Sequence, residues 1–237
     1  MFRRILMAAV LAGLIGGLGV SVLQEFTTTP LILQAETFET PRADEGANKP
    51  TPPVAQLSER AAHAHAARES TDIRNQVERA FYTTIANVLT GIGFALILVA
   101  SIALHGQAVE GRKGVIWGAA GFAIVNLAPA LGLPPEVPGT LSAELGARQS
   151  WWFLCVAATG AGLWIIVFRR GALWVLAGLS MMAVPHLFGA PQSEESGGAV
   201  PSELAAHFVA ASLVTAAVFW CALGWLSAVF WMRFSDQ

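Results

Sequence analysis

Six long apolar stretches, joined by short loops whose positive charges fall on alternate sides, leave this chain one kind of solvent. The cations cluster at Arg3/Arg4, Arg112/Lys113, Arg169/Arg170 and Arg233, before or after every second stretch. A helix needs about 20 predominantly apolar residues, at about 1.5 Å each, to cross about 30 Å of hydrocarbon. That rule places spans near 5–26, 81–104, 114–133, 151–168, 171–189 and 205–231. The expectation is an all-α, polytopic integral membrane protein, a single membrane domain over 1–237 with one long external loop between the first and second spans. Only Arg169, Arg170 and Gly171 divide the fourth span from the fifth, and a single bent re-entrant hairpin is the alternative. Two adjacent arginines inside a span would cost several kcal/mol, so separate helices are preferred.

Composition agrees. Hydrophobic residues make up 54% of the chain and charged ones 13%, about half the charged share of an ordinary soluble domain. The net charge of −2 and the lack of an exposed basic patch with interleaved aromatics argue against nucleic acid as a partner. Cys155 and Cys221 fall inside apolar stretches and read as small buried hydrophobes rather than a disulfide or thiolate metal site.

The short loops set the orientation. The 105–113 and 169–170 turns and both termini carry Arg or Lys, whereas the 134–150 loop has only Arg148 and the 190–204 loop has Glu194, Glu195 and Glu203 with no cation. The positive-inside rule therefore puts both termini in the cytoplasm. The 27–80 segment carries more cations, but acidic residues outnumber them and its length weakens the rule there. Its Pro41, Pro50, Pro52 and Pro53 mark a linker. From Ser58 the Ala-rich run SERAAHAHAARESTDIRNQVERA predicts a polar helix leading into the second span. No small-x-small cleavage pattern follows the first apolar run, so that run is expected to remain as an anchor.

Within the spans, Gly13-x-x-x-Gly17 and Gly114-x-x-x-Gly118 predict close helix packing. Trp151, Trp152 and Trp231 are expected in interfacial belts. The chemical candidates are histidines and acids at the outer border. His186 closes the fifth span, and Glu203 and His207 open the sixth at i, i+4, a spacing that sets carboxylate and imidazole on one helix face. Such donors suit Co²⁺, Ni²⁺ or Zn²⁺ without choosing among them. Ordinary interfacial histidines bonded to loop carbonyls are the competing explanation. His63 and His65 diverge by about 200° on a helix, which leaves them loose external capture at most, with a solvated helix face the plainer reading. Glu25 ends the first span and Asn126 lies inside the third, three residues before Pro129. An amide in lipid is costly to leave unpaired, so Asn126 either bonds a neighbouring helix or marks an opened helix on an ion path. His105 reads as an interfacial residue.

Phosphate-loop, His-Glu-x-x-His and Gly-x-Ser-x-Gly motifs are all missing, so no familiar hydrolytic enzyme is expected. Two inverted three-span halves are geometrically allowed but share no visible pattern.

Several segments together resemble a known family: the opening MFRRILMAAVLAGLIGGL, Thr-Pro-Leu-Ile-Leu-Gln-Ala-Glu at 29–36, NLAPALGLPPEVPG at 126–139, Arg-Gln-Ser-Trp-Trp at 148–152, AVPHLFGAPQ at 183–192 and PSELAAHF at 201–208. In order and spacing they resemble the CbtA family, described as the membrane subunit of a predicted bacterial cobalt transporter linked to cobalamin metabolism. The resemblance covers nearly the whole chain. It implies a partner, CbtB, a small single-span protein with a His-rich terminal segment. It also implies a metal role for Pro185-His186 and Glu203-x-x-x-His207, which match the late motifs, and for Glu36, which matches the early one.

The sequence thus predicts a six-helix subunit of the bacterial inner membrane that moves Co²⁺, with uptake as the direction and no resident cofactor. The ion would be captured at the outer mouth by Glu203, His207 and His186 and passed along Asn126 and Glu25, with Glu36 nearby. A non-transporting scaffold or metal-sensing accessory subunit is the competing function.

Overall fold

The computed structural model describes residues 1–38, 57–193 and 200–234, with side chains described outside 57–73. All regular structure among the described residues is helical: α1 (Phe2–Phe26), α2 (Thr29–Glu36), α3 (Leu57–His105), α4 (Gly111–Phe122), α5 (Ala128–Ala130), α6 (Leu145–Phe168), α7 (Ala172–Phe188) and α8 (Ser202–Arg233). A π turn over Ala123–Leu127 joins α4 to α5, so Gly111–Ala130 is one continuous rod.

Among the described residues, five helices are long and apolar enough to cross a membrane: Phe2–Phe26, Arg74–His105, Gly111–Ala130, Leu145–Phe168 and Ser202–Arg233. The remaining apolar helix, Ala172–Phe188, has 17 residues and rises about 25 Å, a little short of the hydrocarbon thickness. The chain does break at the two arginines. Arg169 is extended and Gly171 has φ +110°, a conformation only glycine adopts without strain, and this turns α7 back along α6.

Small residues decide which helices touch. α1 packs along α3, α4 along α8, α6 along α7, and α1 also meets α8. A methyl group at Gly91 would lie 2.6 Å from the Gly13 carbonyl oxygen, and one at Gly162 would lie 2.6 Å from that of Gly178. Gly114 and Gly118 meet the backbone of Gly224 and Trp220 still more closely. Both Gly-x-x-x-Gly pairs are therefore packing seams, as expected: backbones approach to where no side chain fits. The main core comprises Ala8, Ala12, Val99, Ile102, Trp220 and Leu223 among others, with α1, α3 and α8 contributing most of it.

At the Arg-rich end, the Arg4 guanidinium lies 3.6 Å over the Trp231 ring, and its Nε donates to the Trp231 carbonyl oxygen at 2.9 Å. A cation at the C-terminal carbonyls of α8 is favoured by the helix dipole as well as by the ring. Arg4 is thus a clasp between α1 and α8. Trp231 is 7% exposed and Trp151 also 7%, so both indoles are packed against neighbouring helices.

The 27–80 segment contains a short helix for which the sequence set no expectation. Pro30 in the first turn opens α2. Ala35 seats this helix against Val137, Leu204 and Phe208, a small second core that closes the end of the bundle opposite Arg4 and Trp231. Across that end, Glu36 pairs with Arg79 at 2.7 Å and Glu136 with Arg148 at 2.8 Å.

Glu144 caps α6, accepting from the backbone N–H groups of Gly146 (2.8 Å) and Ala147 (2.7 Å). Those two donors hold its carboxyl below the usual glutamate range. A depressed folded value stabilises the fold above the unfolded value, and that stabilisation is lost as pH falls through the folded one. Glu144→Ala is accordingly expected to lower the melting temperature at neutral pH. The gap to the wild type should close as pH drops below the ordinary glutamate range, and thermal melts across pH check this.

Candidate cation pathway

A cavity of about 570 Å³ opens at the α2 end of the bundle between α1, α2, α3 and α8 and reaches the π turn. Along α3 its wall runs from Gln76 to Phe94, about 27 Å of helix rise. Glu25, Gln24 and Arg79 stand toward the mouth, Asn87, Ser212 and Thr215 along the wall, and Asn126, Trp220 and Phe94 at the deep end. Oxygen-bearing side chains thus continue most of the way across a helical bundle, where irregular or polar groups persist only if they line such a space.

The wall is held by its own hydrogen bonds. Asn87 Nδ2 donates to Gln24 Oε1 at 2.7 Å and to Ser21 Oγ at 3.0 Å, tying α3 to α1. The hydroxyls of Thr27 and Thr215 meet at 3.0 Å, tying α1 to α8. Asn87 carried the same signal as Asn126, a carboxamide within an expected span, and was the signal left unused in the sequence.

The inner end is a plug. Trp220 Nε1 donates to Asn126 Oδ1 at 2.7 Å, and the Phe94 ring lies 4.6 Å from that of Trp220. Asn126 therefore bonds a neighbouring helix, the first of the two readings expected of it, and it also lines the cavity. Its place in the π turn follows from Pro129. That residue has no N–H for the Val125 carbonyl, and the Ala128 N–H reaches back to Ala123 to absorb the mismatch.

The other candidates lie elsewhere. Glu203 and His207 are exposed on α8, while Leu204 and Phe208 beside them face inward. His186 is half-buried in the α6–α7 hairpin, its ring 5.6 Å edge-on from Trp151 and its Nε2 3.7 Å from Cys155 Sγ. The Trp151 indole N–H donates to the Pro185 carbonyl at 3.2 Å, securing the end of α7. Among the described residues no three His, Cys, Asp or Glu side chains gather as a metal site, so His186, Glu203 and His207 do not form one ligand group. Glu36 accepts from both terminal nitrogens of Arg79, at 2.7 and 3.2 Å, and borders the cavity only through that arginine. The His63 and His65 side chains lie outside the described residues.

The CbtA family model, described as a probable cobalt transporter subunit, matches residues 2–232. The chain belongs to the CbtA family. A match over nearly the full length takes in every helix of the bundle, and the family description makes this a membrane transport subunit rather than a soluble metal carrier. No curated protein and no solved structure gives a match. The CbtA assignment therefore rests on the family model, and the cavity is this chain's own geometry.

Proposed function

We propose that this CbtA-family subunit is the permease through which Co²⁺ enters the cell, and that the cavity from Glu25 to Asn126 is the outward-open half of its path. The single observation that carries this reading is the oxygen-lined cavity ending at the Trp220–Asn126 plug. Six waters occupy roughly 180 Å³, so hydrated Co²⁺ fits. Glu25 is the carboxylate among the lining residues, and neutral amide and hydroxyl oxygens follow it inward. One charge attracts the ion, and neutral donors hold it weakly enough for release. The Arg-rich helix ends face the cytoplasm in this reading, which places both termini there and the membrane as the bacterial inner one. The partner is a small single-span, His-rich subunit of the CbtB kind that delivers metal to the outer mouth, in a route linked to cobalamin. Glu203 and His207 remain outer capture residues, with His63 and His65 as looser external ones.

Accumulation of labelled Co²⁺ in cells lacking their own cobalt uptake tests the proposal, with this chain alone, with the small partner, and with Glu25→Gln. Chain-dependent uptake that falls about tenfold in Glu25→Gln supports the path, equivalent to about 1.4 kcal/mol of lost attraction. Uptake that never depends on the chain would favour the scaffold or sensor.

The Glu36–Arg79 pair gives a second check. Arg79 lines the cavity, and Glu36 offsets its charge. Glu36→Gln is expected to slow uptake about three- to fivefold, in line with about 1 kcal/mol for an exposed pair. Arg79→Gln in the same chain should restore it.

A further inference from the structure

The geometry points to a second metal site in the α6–α7 hairpin, in which Cys155 Sγ and His186 Nε2 together bind a borderline-soft divalent cation such as Co²⁺. Three observations carry it. The two donors stand 3.7 Å apart on facing helices, joined by a turn of three residues, Arg169, Arg170 and Gly171. A tetrahedral ion with a metal–sulfur bond of about 2.3 Å and a metal–nitrogen bond of about 2.0–2.1 Å sets its sulfur and nitrogen about 3.6 Å apart. The pair is therefore already at chelating separation, with no backbone movement required.

The second observation is Thr159, one turn further along α6. It is fully buried, its hydroxyl finds no hydrogen-bond partner of ordinary geometry, and it faces the same thiol. A buried hydroxyl whose polar neighbour is the thiol is a third donor beside the imidazole, since it has no other group to satisfy it. The third is the support around the imidazole. Trp151 sets its ring edge against His186 and fixes the preceding carbonyl, so the ring is oriented from outside its own helix.

Access is from the His186 side, because the imidazole is half-buried while Cys155 is fully enclosed. On binding, the thiol proton leaves to solvent and the sulfur ligates as thiolate, with the imidazole neutral. Two protein donors and a hydroxyl leave the ion incompletely wrapped, which suits a cargo that must be released. Sulfur also adds what the oxygen-lined cavity lacks, a preference for Co²⁺ over Mg²⁺ and Ca²⁺. The inference rests on the reading of this chain as one that handles cobalt, but it does not need the cavity to be the path.

A bare S–H···N hydrogen bond spans the same distance, and absorption spectroscopy separates the two. Co²⁺ is titrated into the purified full-length protein in lipid nanodiscs, as wild type, Cys221→Ala, Cys155→Ser and His186→Ala, each confirmed monodisperse. Wild type and Cys221→Ala are expected to develop a thiolate-to-cobalt charge-transfer band, with proton release in a weakly buffered sample. Cys155→Ser should lose the band altogether, and His186→Ala should need far more metal to develop it. No band in wild type at excess Co²⁺ overturns the site, as does a band that survives Cys155→Ser. Should the variants fail to fold, the wild type and Cys221→Ala still decide the matter. Uptake assays keep the two readings apart: a missing band with intact, Glu25-dependent uptake removes this site and leaves the permease.

Discussion

Gly118→Ala is expected to loosen α4 from α8 and to be the most damaging single-methyl change in the bundle. An added Cβ there would run into the Trp220 carbonyl, a backbone group held by its own helix that cannot swing aside. Overpacking of this kind costs typically about 1–3 kcal/mol, and a rigid backbone on both sides puts this case at or above the upper end. Gly19 and Gly93 are the controls, because a methyl group at either meets nothing within 4 Å. Gly→Ala at those helical positions gains up to about 1 kcal/mol in propensity, so their variants should melt at or above the wild-type temperature. Thermal unfolding of the three variants in one detergent measures the contrast. Equal behaviour at Gly118 and Gly19 would remove close approach as the cause of the α4–α8 pairing.

Trp220→Ala is expected to have the largest effect on function. Trp220 is 3% exposed, and its ring closes the inner end of the cavity against Phe94, with its N–H on Asn126. Truncation to alanine removes a large buried aromatic, a loss of about 3–5 kcal/mol, and takes away the plug at the same time. Trp220→Phe keeps most of the ring and loses only the hydrogen bond, about 1 kcal/mol for a group bordering a cavity that water can enter. The expected order of thermal stability is therefore wild type, then Phe, then Ala. Cobalt accumulation should be modestly reduced in Trp220→Phe and lost in Trp220→Ala, where the cavity no longer ends at a barrier and retained ion leaks back. Wild-type accumulation in Trp220→Ala would mean that the plug is only packing.

Some of the site was visible in the amino-acid order and some was not. Glu25 and Asn126 were selected because charge and carboxamide are expensive in hydrocarbon, and both line the cavity. Asn87 and Gln24 share that chemistry, and their pairing emerges only when α1 and α3 are seen side by side. The i, i+4 spacing of Glu203 and His207 was read correctly as one face. Which way that face points depends on Leu204 and Phe208 seating α8 against α2, and the outcome is exposure. Glu36 was singled out through the family's early motif, but its partner Arg79, 43 positions later, is visible only in the fold.

The sequence by itself determined the solvent, the helical class, the approximate helix limits and the charge asymmetry between the two ends. These follow from hydrocarbon acting on each segment alone: every backbone N–H must be satisfied within its own helix, and every stretch must be apolar for about 20 residues. Tertiary structure alone decided that Cys155 meets His186, that Trp220 stops the cavity at Asn126, and that Trp151 and Trp231 are buried against other helices. Lipid is as apolar as leucine, so composition does not choose a helix's neighbour or its rotation. That choice comes from where glycines let two backbones touch, as at Gly114, Gly118 and Gly224, and it is a property of pairs of helices rather than of any one segment.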